Sequence, residues 1–212
     1  RAGEALACHG LGHVAMGRGD LESALTQFGR ALDTARAAQD EWLMSFSSHF
    51  LGITYEYAGR FEDARQHLLE GNTLLERLGG HGQGVAFAEF HLSRIARLSG
   101  NLLLASENLK SALLKFEVAQ DQRGIGFCLA GFANLAALEG DNERAAMLLV
   151  VVADLEDELG LFLEQPLYQE RLQDEEKVRR ALGPRRFEER ADAARTQPLA
   201  RVIDIALGRT RP

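Results

Sequence analysis

Cysteine, proline, lysine and tryptophan are all scarce in this chain of 212 residues, and each scarcity excludes something. Cys8 and Cys128 are too few and too far apart for a disulfide framework or a thiolate metal cluster, and they suit reduced thiols in a cytoplasmic protein. No apolar run approaches the roughly 18 residues that a membrane-crossing helix needs; the nearest is the short stretch from Met147 to Ala153. No membrane role is therefore expected. A secretory leader is also missing, as is an initial Met, which reads as a piece of a longer polypeptide. No Gly-x-Ser-x-Gly elbow, Cys/His dyad signature or Walker motif occurs, so no catalytic residue and no cofactor is expected.

Charge is unevenly spread. The formal net charge is -7, which disfavours nonspecific binding to nucleic acid by the whole chain. From Arg179 to Pro212, nine Arg face four acids, giving +5 there and -12 elsewhere. The basic segment carries Arg179, Arg180, Arg185, Arg186 and Arg190 with a single aromatic, Phe187, among them and no helix-turn-helix. It is expected to pair with Glu188, Glu189 and Asp192 of its own helix, with no direct nucleic-acid contact.

What the chain does have is an internal repeat with a period of about 40 residues. Its anchors are the strings GDLESA, GRFEDA, GNLLLA and GDNERA, in which Gly19, Gly59, Gly100 and Gly140 stand five residues before Ala24, Ala64, Ala105 and Ala145. Further columns fall into register: Leu11, Leu51, Leu92 and Phe132, each followed by Gly12, Gly52, Ser93 or Ala133, and then Ala15, Tyr55, Ala96 and Ala136. After the anchor come Phe28, Leu68, Leu109 and Leu149, then Ala31, Gly71, Ala112 and Val152. Spacings of three and four are helical, so each repeat reads as two amphipathic helices joined at the Gly. Asp20, Asn101 and Asp141, directly after that Gly, are placed to cap the second helix; Arg60 departs from the pattern.

These columns resemble the tetratricopeptide repeat, most clearly in LGITYEYAGRFEDARQHLLEG from Leu51 to Gly71. The period exceeds the usual 34 residues, and the usual Trp near the start of the first helix and the helix-ending Pro are missing. Such long repeats are similar to those of the large bacterial ATP-dependent transcriptional regulators of the maltose-regulator-like group. A second resemblance lies in ERAAMLLVVVADLEDEL from Glu143 to Leu159, Pro166, Tyr168, VRRALGPRRFEERADAAR from Val178 to Arg195, and VIDIAL from Val202 to Leu207. These strings resemble the tail that follows such repeats in actinobacterial and related multidomain proteins, which join an ATPase module to a LuxR-type, SARP-type or nucleotide-cyclase domain. Ala194-Arg195 stands where that tail usually has Gly-Arg.

The resulting expectation is an all-α, right-handed α-solenoid: four repeat hairpins over residues 1–163 and a helical C-terminal cap over 164–212, packed on the last repeat. Helices are expected at 2–17, 20–38, 41–58, 61–78, 84–98, 101–119, 122–138 and 141–159, then from Pro166 to Leu182, from Pro184, and from Pro198. The Gly-rich stretch from Leu78 to Gly84 lies between helices and lacks a nearby Lys, so it reads as a connection and not as a phosphate cradle.

The resemblance also implies a site. In tetratricopeptide arrays the first helix of each pair lines a concave face, and the positions that do so here are His9, His13 and Met16, then Phe46, His49, Ile53 and Tyr57. Phe87, Phe90, Arg94 and Arg97 follow in the third repeat, and Phe127, Ala130 and Asn134 in the fourth. The partner implied is a protein, a peptide or a small effector, together with other domains of the same polypeptide; the alternative is a free-standing scaffold or assembly protein. The Phe positions are equally compatible with packing between helices. Arg94 and Arg97 read as exposed residues able to clamp a carboxylate, because arginine is rarely buried without a partner. His9 and His13, four apart beside Cys8, have the spacing of two zinc ligands, but no third ligand and no His-Glu-x-x-His motif accompany them. No metal site is expected. The acids Asp154, Glu156, Asp157 and Glu158 read as a solvated helix face.

Overall fold

The computed structural model describes residues 2–79, 82–159 and 165–210. Among them it contains helices only: α1 (Ala2–Gly17), α2 (Leu21–Ala38), α3 (Glu41–Tyr57), α4 (Phe61–Arg77), α5 (Gln83–Leu98), α6 (Leu102–Val118), α7 (Gln122–Leu138), α8 (Asn142–Leu159), α9 (Gln165–Leu182), α10 (Pro184–Arg195) and α11 (Leu199–Ala206). Every expected helix is present within a residue or two of its expected bounds. The fold is all-α and built of repeated hairpins. Two compact units divide at Ser99 and Gly100. The first holds the hairpins α1–α2 and α3–α4 with α5; the second holds α6, the hairpin α7–α8, and α9 to α11. The expected boundary near residue 163 lies outside the described residues.

Local chemistry sets the helix ends. Gly19, Gly59, Gly100 and Gly140 have φ between +73° and +82°, a left-handed conformation that costs glycine little. Asp20, Asn101 and Asp141 then accept backbone N–H bonds from Ser23, Leu104 and Arg144 at 3.1 to 3.2 Å, as their position implied. Asp40 and Asp121 cap α3 and α7 in the same way, each at 3.0 Å. Arg60 makes no cap; its guanidinium lies over the Tyr55 ring and pairs with Asp63.

Two kinds of close approach hold the helices together. Inside a hairpin, the Gly12 and Gly52 column admits a large residue from the second helix: a Cβ on Gly12 would stand 2.7 Å from the Phe28 ring, and one on Gly52 2.6 Å from Leu68 Cγ. Between hairpins, the second helix of one packs on the first helix of the next, as α2 does on α3, α4 on α5 and α6 on α7. At these junctions residue sizes are reciprocal. Ala35 packs with Leu43, Leu75 lies where a Cβ on Gly84 would be, and the Phe116 ring fills the space over Gly124. Leu109 occupies the space over Gly131, 2.9 Å from where its Cβ would stand. Each junction therefore sums to about the same volume, which keeps the interior close-packed.

In the second unit, α9, α10 and α11 pack on α7 and α8. Met147, Ala194 and Ile205 form a buried cluster there, and Arg144 donates to the Ala206 carbonyl. The basic segment is paired throughout: Arg179 with Glu188 (2.6 Å), Arg180 with Glu176, Arg185 with Glu189 (3.1 Å), and Arg186 and Arg190 with Glu143 of α8 (2.6 and 3.7 Å). Glu156 is corrected: far from being solvated, its side chain is 12% exposed and bound by Arg171 of α9 at 2.9 Å. Burial raises its pKa, and Arg171 partly offsets that.

At the ends of α2 and α6, Gln39 and Gln120 take φ of 54° and 53°, where the equivalent Gly79 takes 69°. Left-handed backbone is strained for residues with a Cβ. Gln39→Gly and Gln120→Gly are each expected to raise the urea-unfolding free energy by roughly 0.5–1 kcal/mol. A loss of stability in either variant would contradict this account of the junctions.

Candidate functional site

The first helices of the first unit, α1, α3 and α5, lie side by side. Their shared face begins with a stack of rings. His9 of α1 lies flat on Phe46 of α3 (centroids 4.4 Å apart, planes at 12°), and Phe46 lies flat on Trp42 (5.1 Å, 19°). His13 meets His9 at 4.7 Å and stands edge-on to Phe50 at 4.3 Å. The stack runs from the interior to the surface, because His9 is 5% exposed, Phe46 is half-buried, and Trp42 is 53% exposed. Burial and the neighbouring His13 lower the His9 pKa to about 4, so the inner end of the stack is uncharged at neutral pH.

Trp42 was not among the residues anticipated for this face. Its position four residues before Phe46, on the same side of α3, is the signal that could have found it.

The remaining anticipated residues separate by burial. His13, Met16, Phe46, Tyr57, Phe87 and Arg97 are half-buried and remain on the surface of the first unit. His49, Ile53 and Phe90 are core. His49 hydrogen-bonds Asn72 of α4 at 3.0 Å and fills the space over Gly71; burial, the dominant effect, lowers its pKa to about 4. In the second unit, Phe127 is 3% exposed with Arg123 over its ring at 5.7 Å, and Ala130 is half-buried. Asn134 is also buried, and donates to Asp174 of α9. The chain's own ninth helix thus covers the face of α7 at which Asn134 was expected to meet a ligand.

Arg94 is the main correction. It is 7% exposed and does not stand free beside Arg97. Its Nε lies 3.0 Å from Oε1 of Glu56 on α3, while Oε2 of the same carboxylate is 2.6 Å from Nδ1 of His91. Its guanidinium also approaches the Tyr57 ring at 5.9 Å. The premise that arginine is not buried unpaired holds; Glu56 is the partner that spacing within one helix did not disclose. A carboxylate clamp by Arg94 and Arg97 together is thereby removed; Arg97 is half-buried in the last turn of α5.

His9 and His13 do not become a metal centre with other donors: among the described residues no group of three or more His, Cys, Asp or Glu is placed to hold an ion. The Gly-rich connection is described only at Leu78, Gly79 and from Gly82 onward; Gly80 and His81 lie outside the described residues.

Removing Arg94 leaves the buried Glu56 carboxylate without its guanidinium and in contact with His91, which is costly. Arg94→Met is expected to destabilise the chain by about 3 kcal/mol, and Arg94→Met combined with Glu56→Gln to recover most of that. If chemical denaturation gives additive effects, the two residues do not form the pair described.

Comparison with known proteins agrees with this geometry. A family model for the tetratricopeptide repeat matches residues 4–77, which span α1 to α4. No curated protein sequence matches the chain. Among solved structures, BtubC (BKLC) from P. vanneervenii has a TM-score of 0.64 at 19% identity, covering 95% of this chain and 80% of its own. A putative kinesin light chain from Podosopora anserina, with nearly identical TPR-like repeats, has a TM-score of 0.61 at 16% identity, covering 100% and 99%. A variant of that protein gives 0.60 at 16%, covering 96% of each chain. The chain shares its fold with these repeat proteins, and the tetratricopeptide-repeat match covers its first two hairpins.

Proposed function

We propose that this chain binds a protein or peptide on the face made by α1, α3 and α5 and acts without catalysing a reaction. Tetratricopeptide repeats generally bind proteins or peptides. The observation that carries the reading to this face is the ring stack ending in Trp42. A large exposed aromatic held rigid by Phe46 and His9 loses little side-chain entropy on binding, which is how interface hot spots gain energy. The ligand that fits is a peptide carrying an aromatic or aliphatic anchor for the Trp42 tip.

The wider reading is that the chain is the sensing region of a larger bacterial, cytoplasmic, ATP-dependent transcriptional regulator, relaying occupancy of this face to an output domain elsewhere in the polypeptide. It rests on the long repeat period and on the C-terminal strings from Glu143 to Leu207. Among the described residues no helix is long and apolar enough to cross a membrane.

Selection of peptides from a random display library on the purified chain tests the site. Trp42→Ala and His13→Ala are expected to weaken the selected peptides at least about tenfold, the size of one hot-spot contact. Leu103→Ser, on α6 of the second unit, is expected to leave binding unchanged. Peptides that bind Trp42→Ala undiminished would place the site elsewhere.

A further inference from the structure

One helix face of the first unit has no counterpart packed on it. Between Glu4 and Arg18, α1 carries no Asp, Glu, Lys or Arg. A helix apolar all round is suited to burial on all sides. Yet Gly3, Ala7, Gly10, Leu11 and Val14 all lie on its surface, with Leu11 and Val14 55% and 51% exposed.

The repeat register states what such a face does elsewhere in the same chain. In α7 the equivalent residues are Gly124, Cys128, Gly131, Phe132 and Leu135, and all five are buried beneath α6 and the helices around it. Glycine recurs at both of the positions where α6 inserts a large side chain: Phe116 over Gly124 and Leu109 over Gly131. In α3 four of the five equivalents, Leu43, Ser47, Leu51 and Thr54, are buried, with Leu51 packed against Ala24, Leu25, Phe28 and Leu32 of α2, and the fifth, Phe50, is half-buried against Phe28. In α5, Gly84 is exposed at the start of the helix, with Leu75 of α4 2.7 Å from where its Cβ would stand. On α1, by contrast, a Cβ added to Gly3 or Gly10 would meet nothing within 4 Å.

We propose that this face of α1 is a docking seat for the second helix of a further hairpin of the same repeat type. The seat is distinct from the ring-lined face assigned above to peptide binding. Its occupant is specified by the reciprocal sizes at the three junctions. Ala faces Leu at the first, and Leu or Phe faces Gly at the other two, so Gly3 requires Leu or Phe opposite it. Gly10 requires a second large apolar residue seven positions earlier in the same helix, the spacing of Leu109 and Phe116. The occupying face is uncharged, because none of the five seat residues offers a partner for a charge.

The test appends residues 101–121, which comprise α6 with its cap and its connection to the next helix, directly ahead of Arg1. Asp121 then precedes α1 in the register in which it precedes α7. Hydrogen exchange is expected to show α1 amides protected at least about tenfold more than in the unextended chain, as burial of one face requires. Gly3→Leu with Gly10→Leu is expected to abolish that gain in the extended chain. The same pair leaves the unextended chain folded with an unchanged or higher thermal midpoint, since both positions face open space. An unchanged protection of α1 on extension overturns the proposal, as does a gain that survives the double substitution. Dimerisation of the unextended chain that Leu11→Glu abolishes also overturns it, by showing that a second copy takes the seat.

Discussion

The structure depends on one packing constraint: in the layer where Ala35, Leu75 and Phe116 of the second helices meet the first helix of the next hairpin, a large residue on one side faces a small one on the other. Neither helix can bury its apolar side alone, so the repeat is stable only through this contact. The pairing of Ala35 with Leu43, Leu75 with Gly84 and Phe116 with Gly124 preserves volume while exchanging which helix supplies it. Because the interior is close-packed, such exchange is tolerated only when both partners change together. The glycines at these positions are accordingly set by close approach, unlike those of the Gly19 column, which are set by backbone conformation.

This distinction explains what could be read from the residues alone. Helix positions followed from spacing and turn chemistry, both local, and Asp20, Asn101 and Asp141 cap where their place after the turn glycine required. Burial of single residues on the first helices did not follow, because it is decided by partners far away in sequence. Arg94 is 38 positions from Glu56, and Asn134 is 40 from Asp174; no periodicity of three or four connects them. Glu156 looked solvated for the same reason, with Arg171 lying on a different helix. Trp42 sits one turn before Phe46 on the same side of α3, a local spacing that is legible in the sequence, but it belongs to none of the repeat columns.

The buried polar groups divide the first unit into an inert interior and a receptive surface. Glu56, His91 and Arg94 satisfy one another between α3 and α5, and His49 is held by Asn72. Such groups fix how neighbouring helices register, since a slip would leave a charge buried without a partner. What stays accessible is the aromatic tip at Trp42, a feature suited to recognition. In the second unit the corresponding first helix is instead covered by the chain's own α9, so the two units treat equivalent surfaces differently.

The central claim, that reciprocal residue size at the hairpin junctions holds the fold, is tested most directly by exchanging the sizes at one of them. Gly124→Leu alone is expected to lower the urea-unfolding free energy by about 1–3 kcal/mol through overpacking, and Phe116→Ala alone by about 3–5 kcal/mol through a cavity, both positions being buried. Together they reproduce the Ala35 and Leu43 arrangement and are expected to recover most of both losses. If the double variant instead shows the sum of the two losses, the junctions are not held by size complementarity.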